Sequence, residues 1–191
     1  ALGYTSYALL KTGADEHGAF LPLTLRSFGD WKLPVYSYVG IIPVALFGLT
    51  EFAVRLPSAL AGVIGVIVIF YISLFLFQKK RVSLFAAFFF ALSPWSIYFS
   101  RAAYEVNLAT TIFLGGLLAL LHYFQKKRVK YLFLSLGLFV VTMFTQHNYI
   151  VFTPLYVFTI LFLFRKNILF NRRWYVAISL FVILIIVSYM S

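Results

Sequence analysis

Five carboxylates make up the whole acidic inventory of this 191-residue chain: Asp15, Glu16, Asp30, Glu51 and Glu105. Any general acid, general base or metal-ligating carboxylate must come from this set. Asp15 and Glu16 stand with His17 in TGADEHG, between glycines that permit tight turns. Such a pair could deprotonate a hydroxyl or help hold a cation, and a solvated loop is the alternative reading. Glu105, in SRAAYEVN, follows Arg101 by four residues, so on one helix end the two would form an ion pair. Lys32, Arg55 and Arg101 each border an apolar run. Cations at that depth can hold a phosphate, Arg through a bidentate fork and Lys as a point charge. They can also be plain interfacial anchors that snorkel. His147 is isolated in a short turn, where a hydrogen bond to the turn backbone competes with metal binding, and His122 reads as an interface residue beside Tyr123. With no cysteine in the chain, disulfides, thiolate zinc sites and cysteine nucleophiles drop out.

Composition decides what carries these residues. Hydrophobic residues make up 63% and charged residues 11%, against about 45–50% and about 25% in soluble domains, so the chain lacks the polar surface of a soluble globule. A hydrocarbon core about 30 Å thick takes roughly 20 apolar residues in a helix. Six runs qualify as spans: 56–77, 82–100 (containing Pro94), 107–124, the shorter pair 131–145 and 149–164 joined as a tight helical hairpin, and 174–190. Gly115-Gly116 and the 23 phenylalanines read as helix packing and lipid contact.

A net charge of +11 would suggest nucleic acid in a soluble protein. Here its placement gives another meaning. The loops at 78–81, 125–130 and 165–173 hold eleven of the sixteen basic residues and no acid, which marks them as cytoplasmic. The opposite face carries five bases and all five acids. The apolar run 33–49 would invert every later loop if it crossed, so we read it as interfacial or re-entrant, with Pro34, Gly40, Pro43 and Gly48 breaking a helix at headgroup depth. The expected architecture is an all-α polytopic membrane helix bundle. Residues 1–55 form an extracytoplasmic loop with interfacial helices, and 56–190 form the transmembrane bundle, truncated at both ends. Nothing ahead of residue 55 could carry that loop across a membrane, so we expect a first helix upstream of Ala1.

Several segments resemble glycosyltransferase family 39, which holds polyprenyl-phosphate-mannose protein mannosyltransferases and lipid A aminoarabinose transferases of GT-C membrane fold. LFGLTEFAVRLPSALAG (Leu46–Gly62) is the most specific, DWKLPVYSY (Asp30–Tyr38) looks like the family's Lys-Pro-Pro-Leu-Tyr-type segment without its second proline, and SPWSIYFSRAAYEVN (Ser93–Asn107) is similar to a recurrent segment of bacterial members. The resemblance implies a first outer loop lying on the membrane. It also implies inverting transfer of a sugar from a polyprenyl-phosphate donor to an acceptor protein or glycolipid, at the plasma membrane and without nucleic acid. It places the family's first Asp-Glu pair upstream of Ala1, leaving Asp15, Glu16 and Glu105 as catalytic candidates in this chain, which by itself is then expected to be inactive. Asp30, Lys32, Arg55, Arg101 and His147 are candidates for the donor phosphate and substrate. A divalent metal is left open, and no other cofactor is implied. A transporter or flippase, or a non-catalytic scaffold subunit, are the other classes considered; charges confined to loops and the lack of an internal repeat favour the enzyme over a transporter.

Overall fold

The computed structural model describes residues 2–27 and 30–163, with side chains excepted at 27, 30 and 161–163. The basic loop 165–173 and the expected span 174–190 lie outside the described residues. In chain order the elements are α1 (Leu2–Thr12), β1 (Leu25–Ser27), β2 (Asp30–Lys32), α2 (Val35–Phe47), α3 (Glu51–Phe77), α4 (Lys80–Leu92), α5 (Pro94–Arg101), α6 (Glu105–Lys126), α7 (Val129–Met143) and α8 (Asn148–Leu163). The architecture is the expected all-α membrane bundle, with one addition: β1 and β2 pair antiparallel, Leu25 opposite Lys32 and Arg26 opposite Trp31.

Helix boundaries follow local chemistry. Thr50 caps α3 by accepting the Ala53 N–H at 3.2 Å, Glu51 sits favourably in the first turn, and α3 then runs for 27 residues, about 40 Å. It therefore starts before the apolar run at 56, and the domain boundary expected after residue 55 falls inside it. At its far end Gln78 adopts a left-handed conformation (φ 53) and returns its N–H to Leu74. Lys127 (φ 52) does the same after α6, bonding Tyr123. Both turns fall at basic clusters, and helix carbonyl ends favour cations.

Among the described residues two helices, α3 and α6, are long and apolar enough to cross a membrane, and α4 with α5 make a third if counted as one bent span. The run 82–100 is not one straight helix as its composition suggested. Pro94 has no N–H and pushes Ser93 out of the helical region (φ −57, ψ 126), so the chain bends by 55° between α4 and α5. The hairpin of α7 and α8 forms as expected from two shorter helices of 15 and 16 residues.

The run 33–49 is a single helix, α2, unbroken at Gly40 or Pro43. Only its ends are punctuated, by Pro34 and by Gly48 (φ 69). At 13 residues it spans about 20 Å, less than a hydrocarbon core. Its first turn bonds the start of α3 (Tyr36 hydroxyl to the Val54 carbonyl, 3.0 Å). Its last turn also meets the start of α3, the Phe47 and Phe52 rings lying 5.3 Å apart. It therefore lies across the end of α3 and does not run alongside it. Close approach of α1 comes from small residues: a Cβ on Gly40 would lie 2.6 Å from Ser6 Oγ, and one on Gly3 2.3 Å from Val54.

The described bundle has two distinct ends. At one, His122 packs between Phe75 and Tyr131 at 5.7 Å from each, tying the close of α3 and α6 to the start of α7. At the other lie the starts of α2, α3 and α6 and the turn from α7 to α8. Between them, Phe113, Leu120, Tyr123, Leu132, Phe139, Met143 and Val157 join α6, α7 and α8. Large apolar side chains such as Phe89, Val151 and Phe158 remain 68% exposed, as expected for a lipid-facing surface, where association relies on close packing and polar contacts.

Candidate functional site

The acidic pair Asp15-Glu16 builds its own loop. Gly13 (φ 69) ends α1 in the left-handed region, and Asp15 Oδ1 accepts the N–H groups of His17 at 2.9 Å and Ala19 at 2.8 Å. Asp15 is buried at 8% exposure, so this carboxylate oxygen already serves the turn. Exposed Glu16 accepts the Thr5 hydroxyl at 2.8 Å, fastening the loop to α1, and the His17 ring reaches the Arg26 carbonyl at 3.2 Å. Beside them, Tyr38 donates its hydroxyl to the Pro22 carbonyl at 3.1 Å, and partial burial, then the Asp15 charge, push its phenol up.

Glu105 occupies a different setting. It opens α6 with one carboxylate oxygen buried, and its charge is felt by Tyr36. Burial pushes the Tyr36 phenol up to about 12; a hydrogen bond with the Ser58 backbone opposes the shift and Glu105 adds to it. Tyr36 is only 1% exposed, and its hydroxyl has carbonyl and peptide partners on α3. The ion pair expected from the spacing of Arg101 and Glu105 has no common helix to form on: α5 ends at Arg101, and residues 102–104 separate it from α6.

Below Glu105 runs a polar seam that the sequence reading missed. Asn107 Nδ2 donates to the Ser58 carbonyl at 2.7 Å and lies 3.3 Å from Ser100 Oγ. Ser58 donates to the Phe99 carbonyl at 2.7 Å, and Thr111 to the Ala61 carbonyl at 2.9 Å. These bonds join α3, α5 and α6 through apolar surroundings. The available signal was polar residues inside apolar runs: Asn107 and Thr111 one helical turn apart, facing Ser58 and the two glycines Gly62 and Gly65.

The cations are placed unequally. Arg55 pairs with Glu51 one turn earlier on α3. Lys32 ends β2, half-buried just before α2. Arg101 is exposed at the end of α5 and borders a cavity of about 260 Å³ with Gly62, Val63, Ser96, Ile97 and Ser100. Asp30 pairs with Ser27 through the backbone of the ribbon, and its side chain is outside the described residues. His147 bonds not its own turn but the Trp31 carbonyl, at 2.7 Å. Together with the Val35 N–H on the Phe144 carbonyl at 3.4 Å, this clamps the α7–α8 turn to the segment that carries Lys32. The fold thus gathers Lys32, Tyr36, Glu105 and His147 at one end of the bundle and leaves Asp15 and Glu16 bound up in the α1 loop. Among the described residues no three Asp, Glu or His side chains group as a metal site.

With that geometry in view, residues 32–190 match the dolichyl-phosphate-mannose-protein mannosyltransferase family. The chain belongs to that family. No curated protein and no solved structure matches it. As a mannosyltransferase-family member it is a membrane-integral glycosyltransferase type, in agreement with the resemblance seen in its first 107 residues. The match begins at Lys32 and takes in Arg55, Arg101, Glu105 and His147, whereas Asp15, Glu16 and Asp30 precede it.

Proposed function

We propose that this family member transfers a sugar from a polyprenyl-phosphate donor to the hydroxyl of an extracytoplasmic protein or glycolipid, inverting the anomeric carbon. The observation that carries the reading is the gathering of Glu105, Lys32 and His147 at the end of the bundle opposite the basic turns, in a chain of mannosyltransferase family. Of the catalytic candidates, Glu105 fits a general base better than Asp15 and Glu16, whose oxygens hold the α1 loop. The base takes the acceptor proton and the oxygen attacks the anomeric carbon. The carbon–oxygen bond to phosphate breaks on the opposite face, and polyprenyl phosphate leaves with the electron pair. Lys32 and Arg101 offset the charge that grows on the leaving phosphate, with Arg55, already half neutralised by Glu51, as an outer contact. His147 borders the same approach through its bond to the Trp31 carbonyl. The described residues supply no metal cluster, and no step here is routed through a metal. The basic loops then face the cytoplasm of a plasma-membrane protein.

The test is incorporation of radiolabelled mannose from polyprenyl-phosphate mannose by membranes containing the full-length protein. Glu105→Gln is expected to lower the rate by roughly 100-fold or more, within the range of a lost general base, and Lys32→Ala to lower it while protein levels hold. Full activity in Glu105→Gln would overturn the assignment of the base.

A further inference from the structure

We propose that the trough between α3 and α4 at the basic end binds one anionic phospholipid, its phosphate on Arg81 and an acyl chain along the trough. The cavity has a volume of about 630 Å³ and is lined by Val66 of α3 and by Arg81, Leu84, Phe85, Phe88 and Ala91 of α4. With Ala87 included, the α4 residues of the lining all fall on one side of the helix. From Arg81 to Ala91 that face extends about 15 Å, half of a hydrocarbon core of about 30 Å, which is the reach of an acyl chain in one leaflet.

Charge selects the occupant. The lining is almost wholly apolar, Arg81 touching it through its aliphatic stem at the start of α4, and among the described residues Arg81 makes no ion pair. Lys79 and Lys80 stand beside it, and α4 starts there without a side-chain cap, so its first N–H groups add to the positive field. The chain's five acids lie before or at the starts of α3 and α6, the far end of the bundle. Among the described residues no carboxylate pairs with Arg81, so an occupant that brings both an apolar chain and negative charge fits the trough best. A second copy of the chain would bring the same basic end. The run 174–190 is preceded by Arg172 and Arg173 and would add like charge. An anionic phospholipid meets both requirements.

The full-length protein, purified in mild detergent, is offered equal phosphatidylglycerol and phosphatidylcholine, and native mass spectrometry reads the lipid retained. One phosphatidylglycerol is expected to be kept about fivefold over phosphatidylcholine, the discrimination of a single cation near a membrane surface. Arg81→Gln removes that preference, and Ala91→Trp, which fills the trough from an exposed position, removes retention of both lipids. Lys130→Gln, at the same end but outside the trough, leaves the preference in place. Equal retention of the two lipids, or equal effects of Lys130→Gln and Arg81→Gln, overturns the site. So does a photo-crosslinker at position 88 that joins to residues 174–190 or to a second copy.

Discussion

Tyr36 shows how much a single side chain can organise at this end of the bundle. Its hydroxyl donates to the Val54 carbonyl, fixing the start of α2 on α3, and burial keeps it neutral well above the ordinary tyrosine range. Because the folded value, about 12, lies above the unfolded value of about 10, its contribution is intact below pH 10 and is lost as pH rises toward 12. Tyr36→Phe should cost about 1 kcal/mol at neutral pH. The stability difference between the two proteins in detergent should close and then reverse between pH 10 and 12, since two pKa units amount to about 2.7 kcal/mol; a difference constant across that range would contradict the assignment. Asp15 offers the opposite lesson. A carboxylate pair between glycines suggested chemistry, but the N–H groups of His17 and Ala19 show that at least one oxygen is committed to the turn. Spacing along the chain cannot distinguish an oxygen reserved for a reaction from one that closes a loop.

Helix contacts depend on where backbones can approach. Gly115 and Gly116 are neighbours in sequence but not in role. A Cβ on Gly116 would lie 2.8 Å from the Phe139 ring, whereas one on Gly115 would meet Leu138 at an ordinary 3.7 Å. Gly116→Ala should therefore destabilise the packing of α6 on α7 by roughly 1–3 kcal/mol, the cost of overpacking, and Gly115→Ala should be nearly neutral. Melting temperatures in detergent check this, and equal effects would show that Phe139 has room to move. The seam of Ser58, Asn107 and Ser100 works by the complementary device, polar bonds between helices in an apolar setting. It holds α5 against α3 just past the bend at Pro94, so Arg101 and Glu105 reach the same end from different helices.

For the bundle as a unit, the separation of charge is the governing feature. Three lines of contact draw the acidic end together: Tyr36 with Val54, His147 with Trp31, and Val35 with Phe144. The rings of Phe75, His122 and Tyr131 close the basic end. The chain contains no cysteine, so single-site labelling is clean. Glu16→Cys and Lys79→Cys are expected to react with an impermeant thiol reagent from opposite sides of sealed vesicles, Glu16→Cys from outside the cytoplasm. Reaction from the same side would overturn the topology and, with it, the placement of the proposed reaction.

Membrane class, helix content, the α7–α8 hairpin and the family were legible in the chain, because hydropathy and charge are properties of consecutive residues and bilayer thickness sets their scale. The position of α2 across the end of α3 fits the reading of 33–49 drawn from the cost of inverting every basic loop. The β-ribbon, the continuity of α2 through Pro43, the burial of Tyr36 and the seam under Glu105 were not. Each depends on partners far away in sequence, such as Tyr36 with Val54 or Asn107 with Ser58, and a polar group in an apolar run has no defined role until folding supplies the group that satisfies it. Candidate residues could be named from their chemistry, but only the packed helices placed Glu105, Lys32 and His147 at one end of the bundle and bonded Asp15 and Glu16 into the α1 loop.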